Sequence, residues 1–175
     1  MWRMPAHGRP RWRRPFDELI MLTIDIPGRP ALKLDHLVLD YNGTVAVDGA
    51  LLESVRRRIL QLKEHLTIHV LTADTYGTVA AECRPLGVEV ETFPREGAAL
   101  CKERIVKALA GGTVCFGNGF NDIQMFDAAD LSVAVLEGEG LCAALLTHAD
   151  VAVSSAADAL DLLLKPDRLR ATLRT

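Results

Sequence analysis

Three observations predict a three-layer, doubly wound α/β fold with a mostly parallel sheet. Short apolar runs of strand length alternate with segments of helical apolar spacing along most of the chain. The connections are too short for a second domain to be inserted between them. Polar clusters follow three of the strand candidates, at Asp40–Thr44, Thr72–Asp74 and Asn118–Asp122. In an open parallel sheet the carboxyl ends of the strands form the ligand-binding edge, so these clusters converge on one site.

Taken in order, residues 21–34 read as strand, Pro-Gly turn and strand, a β-hairpin placed at the sheet edge. A buried strand follows over 36–40. Leu51, Leu52, Val55, Ile59, Leu60 and Leu62 give residues 50–65 a helical period. The β-rich run Leu66–Leu71 ends at Thr72. A helix is expected over 76–84, stopped by Pro85, and a short strand over Val88–Val90. The helix 97–110 closes on Gly111-Gly112. The strand Val114–Phe116 runs into Gly117-Asn118-Gly119. Beyond it the pattern predicts a helix over 121–129, a strand over 131–136, a helix over 139–147, a strand over 149–153 and a helix over 155–164.

The 175 residues suit one domain at 21–175 preceded by an extension. Residues 1–20 carry five arginines against Asp17 and Glu18, three prolines and both tryptophans of the chain. This arm reads as a disordered extension or as translation assigned from too early a start, not as a secretory signal. The net charge of −3 gives no reason to expect nucleic acid as a partner. No apolar run is long enough to span a membrane. Cys83, Cys101, Cys115 and Cys142 form no CxxC pair, so reduced thiols and a cytoplasmic location are expected. The histidines lack HxH or HExxH spacing, which argues against zinc.

The strand tips carry the parts that phosphoryl transfer needs. Asp40 can be a nucleophile or a metal ligand. Two anions repel, so its attack on a phosphate calls for a cation such as Mg²⁺. Thr72 can donate its hydroxyl to a phosphoryl oxygen, and Lys102 can neutralise charge between Asp40 and phosphate. Asp122 offers a second carboxylate and Asn118 a neutral oxygen. Gly117 and Gly119 allow close approach of the backbone to a metal.

These motifs resemble the haloacid dehalogenase-like (HAD) superfamily of phosphohydrolases and phosphotransferases. The family pattern is a strand ending D-x-[D/T]-G-T, a strand ending in Ser or Thr, a helical Lys and a strand ending G-D-G-x-N-D. Here these stand as Asp40-Tyr41-Asn42-Gly43-Thr44, Thr72, Lys102 and Gly117-Asn118-Gly119-Phe120-Asn121-Asp122. The segment CKERIVKALAGGTVCFGNGFND and Thr72-Ala73-Asp74 are most similar to soluble P-type ATPase-like phosphatases. The resemblance spans about residues 21–170.

The resemblance implies a capless HAD-like Rossmannoid domain acting as a Mg²⁺-dependent phosphatase or phosphotransferase through an aspartyl phosphate on Asp40. It implies catalytic roles for Asp40, Asn42, Thr72 and Lys102. It implies metal contacts from Asp40, Asn42 and either or both of Asn118 and Asp122. Gly43, Thr72, Ala73, Lys102 and Asn121 would hold phosphate. The expected partner is a phosphorylated small molecule or a phosphoprotein. A second copy of the chain is a further candidate partner, since a capless site is open unless a neighbouring subunit closes it.

The sequence departs from the family at two positions. Asn42 stands where the family places an acid/base Asp, and Asn118 where it places a metal-binding Asp. An amide cannot protonate a leaving group, which predicts weak turnover restricted to activated phosphates. The alternative is a catalytically impaired relative that binds a phosphorylated ligand or regulates a partner.

Overall fold

The structure is a computed structural model and describes residues 21–74 and 77–175. The expectations for residues 1–20 lie outside the described residues. The first elements are β1 (Leu22–Ile24) and β2 (Leu32–Leu34), then β3 (His36–Asp40). A small pair, β4 (Ala46–Val47) and β5 (Ala50–Leu51), precedes α1 (Glu53–Leu62) and β6 (Thr67–Thr72). Next come α2 (Val79–Cys83), β7 (Glu89–Thr92), α3 (Ala98–Ala108) and β8 (Thr113–Gly117). The chain ends with α4 (Ile123–Ala128), β9 (Leu131–Val135), β10 (Val151–Val153), α5 (Ala156–Leu164) and α6 (Pro166–Leu173).

Six strands form one parallel sheet in the order β10-β9-β8-β3-β6-β7. From the central β3 the chain winds outward through β6 and β7. It then crosses back to β8 and winds the other way. The reversal falls between β3 and β8, and the crevice outside their carboxyl ends is where such sheets bind ligands.

The pleat sorts the core into two layers. Leu37 and Leu39 of β3 face Val55, Ile59 and Leu62 of α1 and the apolar residues of α2, α5 and α6. Val38 faces the other way, onto Val106 of α3 and Met125 and Phe126 of α4. A strand buried on both faces must be apolar throughout, which explains the run that Asp40 terminates.

Four expectations need correction. The hairpin β1–β2 is a separate antiparallel pair rather than an edge of the main sheet. It buries Ile24 and Leu34 in the core and is tied to the C-terminal end, where Thr175 N–H donates to Pro27 O and Arg170 Nε to Asp25 O. Residues 50–51 belong to the β4–β5 pair, so α1 starts later than its apolar period suggested. The segment 139–147 is not an α-helix. Gly140 takes a left-handed φ of 87°, and only a 3-10 turn over Ala143–His148 forms. Finally, α6 was missed, although Pro166 at its first turn and Leu169 and Leu173 four apart are helix signals.

One ion-pair cluster locks α1 to α5. Asp161 accepts from Arg58 Nε (2.9 Å) and Nη2 (3.3 Å) and from Lys165 Nζ (2.9 Å). The Arg58 hydrogen bond leads in holding its carboxyl at about 2, against an ordinary 3.8. Because the folded value is depressed, this stabilisation is present above about 3.8 and is lost as pH falls through about 2. Asp161→Asn is expected to cost about 2 kcal/mol at pH 6. In paired urea melts the gap from the parent should narrow between pH 4 and 2.

Candidate active site

The three strand tips do converge. Asp40 ends β3, Thr72 ends β6, and Asn118 follows Gly117 at the end of β8. Lys102, on the second turn of α3, reaches into the same place. Its Nζ lies 2.6 Å from Asp40 Oδ1 and 2.6 Å from Asp122 Oδ1. Lys102 is 1% exposed and Asp122 0%, so this is a buried triad of two carboxylates on one ammonium. Burial alone would push the Lys102 ammonium towards neutrality. Asp40 and Asp122 outweigh that and hold its pKa above the ordinary value. Burial, then the charge of Asp40, pushes Asp122 up to about 6, while Lys102 and the Gly119 N–H pull against this.

Removing the ammonium leaves two buried carboxylates facing each other. Lys102→Met is therefore expected to destabilise the fold by about 3–5 kcal/mol at pH 8. Asp122 has a raised folded pKa, and the substitution raises it further. The loss of stability should thus shrink as pH falls from 8 towards 5, read by denaturant melts in chelator.

The second oxygen of Asp40 is held by Thr44, whose Oγ1 lies 2.8 Å from Asp40 Oδ2 and 3.2 Å from Asn118 Oδ1. One hydroxyl proton cannot serve both acceptors. Asn118 Nδ2 donates to Gly140 O (2.9 Å), and Asn118 O accepts from Cys142 N–H. Asn118 therefore ties the Asp40 loop to the 136–142 loop. Asp122 Oδ2 accepts from the N–H groups of Asn118 (3.0 Å) and Gly119 (2.8 Å).

Gly43 has φ 79°, and a Cβ there would stand 2.3 Å from Asn118 Nδ2. Gly117 also meets a steric demand. A Cβ on it would stand 2.5 Å from Asp122 Oδ2, so the missing side chain makes room for that carboxylate. The Gly43 N–H donates to Ala46 O (2.8 Å).

Thr72 is buried, and its Oγ1 accepts from Asp74 N–H (2.8 Å). Its own hydroxyl proton is left to donate. Asp74 takes the left-handed φ of 44°, rare for a residue with a side chain, to make that contact. Ala73 lies half-buried between them. Asn121 is exposed, with Oδ1 3.4 Å from Lys102 Nζ. Asn42 is half-buried, and its Oδ1 has no hydrogen-bond partner.

Thr44 was not among the expected site residues, although its place in the Asp40–Thr44 motif was a signal. The β4–β5 pair beside the site was also missed. Its signal was Asp48-Gly49, both with φ above zero, between apolar pairs.

Among the described residues no three His, Cys, Asp or Glu side chains cluster as a metal site. A hard cation with oxygen ligands needs no such trio. Asp40 Oδ2 and Asn118 Oδ1 compete for one proton, and Asn42 Oδ1 in the same loop has none. These oxygens are short of donors, as ligands of a hard cation would be. The donor set fits Mg²⁺.

Known proteins resemble the chain in sequence and in fold. A family model of haloacid dehalogenase-like hydrolases matches residues 105–159. An uncharacterised protein of Methanocaldococcus jannaschii is 41% identical over 61 residues, covering 35% of this chain and 66% of that one. The soluble P-type ATPase-like phosphatase of the same organism is 24% identical over 139 residues, covering 77% of this chain. The chain spans about half the length of that phosphatase, 51%.

Among solved structures, a HAD-family hydrolase from Streptomyces avermitilis superposes with TM-score 0.59 at 22% identity, over 77% of this chain and 93% of that one. The 3-deoxy-D-manno-octulosonate 8-phosphate phosphatase of Moraxella catarrhalis, solved with magnesium and phosphate ions, gives 0.63 at 14% identity. It covers 81% of this chain and 94% of its own. At these identities the solved structures speak for the fold alone. The family model over residues 105–159, the ordered motifs and the shared fold together support the haloacid dehalogenase-like superfamily of hydrolases.

Proposed function

We propose that the chain is a Mg²⁺-dependent phosphatase or phosphotransferase that works through a phosphoryl group on Asp40. The observation that carries this reading is the buried Asp40–Lys102–Asp122 triad at the switch point of the sheet. Lys102 and Thr44 hold both oxygens of Asp40 in place. A carboxylate oxygen attacks phosphorus, the bond to the leaving oxygen breaks, and an acyl phosphate forms. Water attacks phosphorus in the second step and releases Asp40. Thr72 donates its free hydroxyl proton to a phosphoryl oxygen. Lys102 offsets the charge that phosphate brings beside two carboxylates.

Asp40, Asn118 and Asn42 would hold Mg²⁺, with Asp122 behind them fixing Lys102 and the Asn118-Gly119 backbone; the ion would supply the remaining positive charge on the phosphoryl oxygens. Related folds support a divalent ion. The Moraxella catarrhalis phosphatase is solved with magnesium, and the Haemophilus influenzae one is in a cobalt-bound form.

Asn42 sets the substrate class. Without an acid at that position the leaving group must depart unprotonated, which favours acyl and aryl phosphates over alkyl esters. The substrate is a phosphorylated small molecule or a phosphoprotein reached through an open site. Among the described residues β3 and β6 are joined only by β4–β5 and α1, with no cap. A second copy of the chain is the proposed cover for that opening. The described cysteines are all free, in keeping with a reducing compartment. Among the described residues no helix is long and apolar enough to cross a membrane.

The test is hydrolysis of acetyl phosphate, p-nitrophenyl phosphate and glycerol phosphate with and without Mg²⁺. The expected result is Mg²⁺-dependent turnover, fastest on the first two. Absence of turnover on all three, with phosphate mimics still bound, would favour a second reading. In that reading the chain binds a phosphorylated ligand or partner without turning it over. The amide at Asn42 and the use of both ends of the Asn118 amide to bridge loops are the observations that favour it.

A further inference from the structure

A surface pocket of about 570 Å³ lies between α1 and the C-terminal end of α5, lined by Arg57, Arg58, Gln61, His65, Asp161 and Lys165 with Leu164. None of the triad residues lines it. That volume is in the range of small-molecule sites.

The pocket carries a surplus of positive charge on a fixed frame. Its one carboxylate, Asp161, has an 8% exposed side chain. Arg58 and Lys165 bind its oxygens, and Arg168 Nη1 stands 3.5 Å away. Among the lining residues themselves the cations Arg57, Arg58 and Lys165 stand against Asp161 alone. Arg58 is further held by donating Nη1 to Ser54 O (2.9 Å), so its guanidinium is fixed before any ligand arrives.

Arg57, Gln61 and His65 follow one another four residues apart on one face of α1 and its C-terminal turn. None of their side chains makes a hydrogen bond or ion pair among the described residues. They present unpartnered donors over eight residues, about 12 Å along a helix axis. One tetrahedral anion cannot reach both ends of that row; a chain of linked phosphoryl groups can. Guanidinium groups match phosphoryl oxygens in geometry and charge.

We propose that this pocket is a second anion site that binds a small polyphosphate, with Arg57, Gln61 and His65 as the contacts along the chain and Lys165 opposite. Inorganic tripolyphosphate and the polyphosphate of a nucleotide share that chemistry.

The test is calorimetric titration of the full chain with inorganic tripolyphosphate at low ionic strength, in chelator so that hydrolysis does not intervene. A parallel titration with ATP separates a nucleotide from the bare polyphosphate. One-to-one saturable binding below 1 mM is expected, at roughly tenfold or more weaker affinity in Arg57→Glu and in His65→Glu, and weakening as salt is raised. Both replaced residues are exposed, so the variants should melt like the parent. Absence of binding at 1 mM would overturn the proposal. So would binding that ignores both reversals and tightens in Asp40→Asn, since that pattern puts the anion at the triad.

Discussion

Asp40→Asn is expected to remove Mg²⁺-dependent hydrolysis, by a factor of at least about 10³ on acetyl or p-nitrophenyl phosphate. The amide presents a poor nucleophile at the tip of β3. The substitution should not unfold the chain. Lys102 keeps its 2.6 Å contact with Asp122, and Asp122 is relieved of a neighbouring like charge. Turnover lost with the melting midpoint within a few degrees of the parent would mark Asp40 as chemical rather than structural. Lys102→Met, by contrast, should lose both together, because it strips the shared cation from two buried carboxylates.

The second large effect is a gain. Asn42→Asp is expected to raise kcat on alkyl phosphates such as glycerol phosphate by about 10²–10⁴, the usual worth of a general acid. Asn42 Oδ1 sits buried without a donor, so the site already holds an oxygen there that nothing in the fold uses. A new carboxyl beside Asp40 would meet like charge. That raises its pKa and keeps it protonated nearer neutral pH, as an acid for the leaving group must be. The gain should be smallest on acetyl phosphate, whose leaving group needs no proton. An unchanged ratio between alkyl and acyl substrates would remove Asn42 from the chemistry.

The sheet and its polar edge were legible because both rest on short-range rules. Strands buried on both faces are mainly apolar, as Leu37–Leu39 of β3 and Val114–Phe116 of β8 are, and a chemical residue at the tip stands out against such a run. Lys102 was legible only through its motif, since a lone lysine on an amphipathic helix otherwise reads as a solvated residue. The parts that escaped depend on tertiary contacts. The helix expected at 139–147 gives way because Asn118 captures the Gly140 carbonyl and the Cys142 amide, contacts made across more than twenty residues of chain. The β1–β2 hairpin left the sheet edge because its apolar residues join the layer formed with α6, an element that was itself missed. Thr44 and Asp74 stand inside polar clusters that the sequence displays, but their work of holding Asp40 and Thr72 is visible only in the side-chain geometry.

In the proposed reaction Asp40 carries the phosphoryl group. The most direct measurement is acid quenching of the protein during Mg²⁺-dependent turnover of acetyl phosphate, followed by reduction of acyl phosphates and peptide mass spectrometry. Modification is expected at Asp40 alone, dependent on substrate and Mg²⁺ and absent from Asp40→Asn. Undiminished turnover in Asp40→Asn, or a label that settles on another residue, would contradict it.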